Sequence, residues 1–136
     1  MTTIVDRPVS SGWRRFFLVA AAYDIVLGGI FVVAGESILT AIGMALPPHV
    51  AYIQLAAAFT FVQGLSYWLV YRDPLANLGL VRVGVAYKAA YAGLVVYYLL
   101  IGRLPNVFFL PWAVTDVLFL IGFVMFLRLA ARPQDA

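Results

Sequence analysis

FFLVAAAYDIVLGGIFVVA, residues 16–34, is a run of 19 residues broken by one charge, Asp24. A helix needs roughly 20 residues to cross a hydrocarbon layer about 30 Å thick. The run is apolar on every side, as a helix in lipid is, whereas a surface helix of a soluble domain keeps one polar face. Three more runs of the same kind follow, Val50–Tyr71, Val83–Ile101 and Val107–Leu127. None alternates apolar with polar residues, which argues against a β-barrel. The expected fold is all-α: one membrane domain, residues 1–136, forming an integral membrane four-helix bundle with antiparallel, up-down topology.

Composition agrees. Of the 136 residues, 65% are hydrophobic and 11% are charged, against about 25% charged in an ordinary soluble domain. So much apolar surface cannot be hidden in one small core. The net charge is +3, but the basic residues sit at the ends of the apolar runs, where they set topology and form no nucleic-acid surface. There is no cysteine and His49 is the one histidine, so no thiolate or zinc site is expected, and no cofactor.

The links between runs are short after the first, which makes sequential helices antiparallel neighbours. Arg7, Arg14, Arg15, Arg72, Arg82, Arg128 and Arg132 then fall on one side and Arg103 on the other. That bias predicts both termini on the cytoplasmic side, and a bacterial inner membrane is the expected location. Trp13, Trp68 and Trp112 lie near helix ends, where aromatic belts form. Arg14-Arg15 before an apolar run resembles a twin-arginine export signal ending near Ala34. Asp24 inside the run, its spanning length and the three further runs argue for a retained helix. Between the first two runs, Ile38, Ile42 and Leu46 recur every four residues, so a short interfacial helix over 37–46 is expected, with an ordinary packed loop as the alternative. Gln54 is read as an interfacial or oligomer-contact residue, and His49 with Glu36 as a solvated loop pair, with an outer polar lip as the alternative. Tyr23-Asp24 with Gly29 and Tyr87-Lys88 with Gly93 form a short internal repeat, at the level chance also produces.

Each run carries one conspicuous polar residue: Asp24, Gln63, Lys88 and Asp116. Counted from the flanking arginines at 1.5 Å per residue, they lie about 9–18 Å deep. A charge at that depth costs at least about 2.5–3.5 kcal/mol if it faces lipid, so the four should turn inward and meet. Lys88 between Asp24 and Asp116 is the expected pairing. Its formal sum is −1 if all ionise, so one carboxyl is expected to hold a proton. Thr60 and Tyr67 share the Gln63 face, Tyr91 and Tyr98 that of Lys88, and Trp112 lies one turn from Asp116. Asp24, Thr60, Gln63, Tyr67, Lys88, Tyr91, Trp112 and Asp116 are the candidate ligand-binding residues.

Four short helices, an arginine-led first span and no soluble domain resemble the broad DoxX-like group of small bacterial membrane proteins. In size alone the chain is also similar to the sterol-isomerase-like EXPERA bundles, whose acidic and histidine pattern is absent. Neither resemblance rests on a specific motif, and no residue role is carried over.

Three functions fit these residues. The first is binding or transport of a small amphipathic or cationic ligand at mid-membrane depth, with proton coupling through one Asp. The second is an intramembrane acid–base enzyme of isomerase or cyclase type on a lipidic substrate, with Asp24, Asp116 and Lys88 as candidate catalytic residues. Four helices are few for alternating access, so transport would call for a homodimer. The third is an accessory subunit of a larger membrane complex, whose polar cluster is a closed knot that sets helix register.

Overall fold

The computed structural model describes residues 9–132, so Arg7 lies outside the described residues. Four α-helices make up the fold: α1 (Ser11–Ala41), α2 (Ala51–Arg72), α3 (Leu78–Leu100) and α4 (Phe109–Ala130). Each is long and apolar enough to cross a membrane.

Two helices begin before their apolar runs. α1 takes in Arg14 and Arg15, and α3 takes in Arg82. Arginine ends a hydropathy run without ending a helix, because it is a good helix former and its aliphatic stem lies along apolar surface. The same effect corrects the loop. No separate helix occupies 37–46. Residues 36–41 continue α1, with the Thr40 hydroxyl bonded to Glu36 O at 2.8 Å. Gly43, at φ +71°, ends the helix in a conformation that suits glycine. The buried residue of this extension is Leu39, and Leu46 is exposed.

The chain runs up and down. α1 meets α2 through Gly28 against Phe61 and Ala57, and through Gly64 against Ile25 and Ala21. As numbers rise on one helix they fall on the other, so the pair is antiparallel. Gly84 against Phe123 and Lys88 against Asp116 show the same for α3 and α4. Arg14, Arg15, Arg72, Arg82, Arg128 and Arg132 therefore gather at one end, and Arg103 lies at the other. At the arginine end, an Arg14 guanidinium N–H donates to Arg72 O at 2.8 Å. Gln54 is exposed, and its amide donates to Val32 O of α1 at 3.2 Å, adding a side-chain tie to the α1–α2 hairpin. His49 is exposed and packs beside Tyr52.

The two ends of the bundle differ. Toward the arginines, Phe17, Tyr67, Val70, Val81, Phe119, Phe123 and Phe126 form a packed core. Phe17 stacks on Phe123 with ring centroids 5.6 Å apart, and Phe16 and Trp13 close the rim. Toward the other end no comparable core forms among the described residues.

The short repeat has a structural counterpart. Phe17, Ala20, Asp24 and Gly28 of α1 are buried, and so are Val81, Gly84, Lys88 and Ala92 of α3. The two sets match at a constant separation, that of Asp24 and Lys88, 64 residues. α2 and α4 follow suit: Ala57, Tyr67 and Val70 correspond in burial to Ala113, Phe123 and Phe126. The bundle is two similar helical hairpins facing each other.

Candidate functional site

Asp24 and Lys88 occupy equivalent positions on the two facing hairpins, so they meet on the bundle axis. Lys88 Nζ donates to Asp24 Oδ1 at 2.8 Å and to Oδ2 at 2.9 Å. Asp116 Oδ1 approaches the same nitrogen to 2.8 Å from α4. Lys88 and Asp24 are each 1% exposed and Asp116 is 5% exposed. An ammonium has three protons to donate, and three carboxylate oxygens surround this one. The rings of Tyr23, Tyr67, Tyr87 and Phe119 add to the cage, with centroids 5.3–5.7 Å from Nζ. Buried charges of this kind hold only when paired and hydrogen-bonded.

The triad is sealed on one side and open on the other. Below it, Tyr67 and the phenylalanine core fill the arginine half. Above it lies a cavity of about 500 Å³ whose lining includes Asp24, Lys88 and Asp116. The walls are otherwise largely apolar and aromatic, with Leu27, Phe31, Phe108 and Trp112 among them. The cavity falls within the range of about 300–1,000 Å³ typical of small-molecule sites. Phe31 packs on Phe108, Phe108 on Trp112, and Leu39 is buried at the far end. The α1 extension thus supplies part of the lining of the chamber.

Polar groups converge on this chamber. Tyr87 Oη donates to Thr60 Oγ1 at 2.9 Å, tying α3 to α2 at the cavity wall. Tyr23 also lines the cavity, and its buried hydroxyl has no hydrogen-bond partner. Thr115, beside it, gives its own hydroxyl to Pro111 O. No donor other than Lys88 reaches the Asp116 carboxylate among the described residues. The Asp116 carboxylate therefore borders a mostly apolar void, with the unpaired Tyr23 hydroxyl buried in its wall.

Of the eight candidate residues, Asp24, Thr60, Lys88, Tyr91, Trp112 and Asp116 line the cavity. Gln63 does not. The inward stripe of α2 is Ala57, Thr60, Gly64 and Tyr67, and Gln63 stands at its edge, half-buried, bonded to Ser66 Oγ at 3.0 Å. Tyr67 is buried beneath the triad, its ring against Gly84 and its hydroxyl unpaired. It supports the floor of the chamber. Tyr98, further along the Tyr91 face, does not line the cavity and is 42% exposed. Tyr23, Tyr87, Phe31 and Phe108 were missed by the sequence reading. The repeat that pairs Tyr23-Asp24 with Tyr87-Lys88 is the signal that could have found the two tyrosines. Among the described residues no cluster of His, Cys, Asp and Glu suits a metal ion.

No family model, curated protein or solved structure matches this chain. The site is therefore read from its own chemistry.

Proposed function

We propose that this is an integral membrane binding protein for a small amphipathic molecule, held with its polar end on the Asp24–Lys88–Asp116 cluster and its apolar part among Leu27, Phe31, Phe108 and Trp112. The observation that carries this reading is the meeting of the buried triad with the cavity. A charge cluster that served only to fix helix register would gain from being packed on all sides. Asp116 can accept a hydrogen bond from a ligand hydroxyl or ammonium. The packed aromatic half between the cavity and the arginine end favours retention of the ligand over passage through the bundle.

In this reading both termini are cytoplasmic, because the described arginines other than Arg103 gather at their end. Reporter fusions after Arg72 and after Arg132 should report the cytoplasm, and one at Arg103 should report the far side. A cytoplasmic signal at Arg103 would invert the orientation.

The binding reading is tested by native mass spectrometry of the protein taken gently from membranes. The wild type should carry an adduct that organic solvent extracts. Leu27→Trp, which fills the cavity from a half-buried wall position, should fold and carry none. A wild type with no adduct, and no rise in Tm with long-chain alcohols or amines, would sink the proposal. Recovery of a stoichiometric membrane partner in its place would favour an accessory subunit.

A further inference from the structure

The position of the cavity mouth says how the chamber is filled. Of its lining residues, two are exposed on the outside of the bundle: Ala56 and Phe59, the latter 72% exposed. Both lie on one flank of α2. α1 packs on the other flank, through Ala57, Phe61 and Gly64. Ala56 and Phe59 therefore border the gap toward α3.

α3 leaves that gap uncovered. It touches α2 where Tyr67 meets Gly84 and where Tyr87 bonds Thr60. Beyond Tyr87 its face continues through Tyr91, Leu94 and Tyr98. Tyr91 lines the cavity, whereas Leu94 and Tyr98 are 58% and 42% exposed. At the other seams, Gly35 packs against Ile53 between α1 and α2, the Tyr23–Trp112 and Phe31–Phe108 ring pairs bridge α1 and the start of α4, and Ala92 and Val95 of α3 are buried.

We infer that the cavity is loaded sideways, through a portal between α2 and α3 bordered by Ala56, Phe59 and Tyr91, with the Tyr87–Thr60 hydrogen bond as its sill. The occupant is a single-chain amphipath already dissolved in the hydrocarbon, with a hydrogen-bond-donating head. This rests on the binding reading above. A water-borne ligand would need an opening at a helix end, where Leu39 is buried and Phe31 packs on Phe108. A hydrocarbon-borne one meets an apolar rim, moves its head past the Thr60 and Tyr87 hydroxyls, and reaches Asp116. A two-chain lipid would leave one chain outside the gap.

Trp112 lines the cavity and serves as the reporter once Trp13 and Trp68 are replaced by Phe. The probe is a nitroxide-labelled long-chain alcohol in phosphatidylcholine vesicles. A nitroxide-labelled two-chain phosphatidylcholine at the same label density sets the background. The alcohol should quench Trp112 beyond that background. Ala56→Phe, which plugs the portal at an exposed position, should slow the onset by about tenfold or more, and Phe59→Ala should speed it. Leu118→Phe, on α4 at a position 64% exposed, should leave it unchanged. Quenching above background with the same rate in Ala56→Phe would overturn the portal and leave binding intact. No quenching above background in any variant would overturn the binding reading and the portal with it.

Discussion

Replacing Lys88 with Met should destabilise the protein by about 3–5 kcal/mol, the cost of breaking a buried ion pair from one side. Methionine fills much of the same space but donates nothing. Asp24 would lose both of its hydrogen bonds and Asp116 its one close cation, at positions 1% and 5% exposed. Two carboxyls would then share a cage of aromatic rings with no counter-charge. Removing one acid as well should recover part of the loss. Lys88→Met with Asp116→Asn should therefore be more stable than the sum of the single changes implies, with a coupling of about 1–3 kcal/mol. Thermal unfolding in one detergent gives all the required differences. Additive losses would mean that the residues do not meet. Ligand retention gives the second readout. If the triad is the binding site, the double variant folds and stays empty. If it is a packing device alone, the double variant recovers stability and ligand together.

Much of the fold was legible because runs of about 20 apolar residues without strand-like alternation become helices. Asp24, Lys88 and Asp116 could be brought together for a related reason, since each would be costly against lipid. The helix ends were less legible. Arg14, Arg15 and Arg82 end a hydropathy run but keep the helical ladder, and Glu36 and Thr40 do the same at the far end of α1. Gln63 was misplaced because chemical conspicuousness is a poor guide to direction. The helical period puts Thr60 and Tyr67, two less conspicuous residues, on the inward stripe. The cavity was not legible at all. It depends on how two hairpins diverge, which is set by where bulk accumulates. Phe16, Phe17, Phe119 and Phe123 fill one half of the interface between them. Gly28, in the other half, lets α1 and α2 close up without filling it. No local pattern encodes that difference.

The close approach of α1 and α2 yields the other large effect. In the interior of an exposed helix, Gly→Ala should stabilise by about 1 kcal/mol, because alanine loses less conformational freedom. Gly28→Ala should do the reverse. An added Cβ would run into the backbone of Phe61 and lie 2.8 Å from Ala57 O. Backbone atoms cannot rotate aside as a side chain can, so the helices must separate. The cost should reach or pass the upper end of the range of about 1–3 kcal/mol seen for overpacked sites. Gly64→Ala should behave alike, since its Cβ would lie 2.6 Å from Ile25 N. Gly29→Ala is the internal control: its Cβ would meet nothing closer than a Phe61 ring carbon at 4.0 Å. It should be neutral or mildly stabilising, although it stands next to Gly28. The two harmful changes should not add. Once α1 and α2 have moved apart to admit one methyl, the second costs less. The separation should also reach the site, because Gly28 lines the cavity one turn from Asp24. Pushing α1 off α2 shifts Asp24 against Lys88, so Gly28→Ala should lose ligand even in the fraction that stays folded. Additive losses with ligand retained would mean that α1 and α2 do not close through these glycines, and that the cavity is shaped by something else.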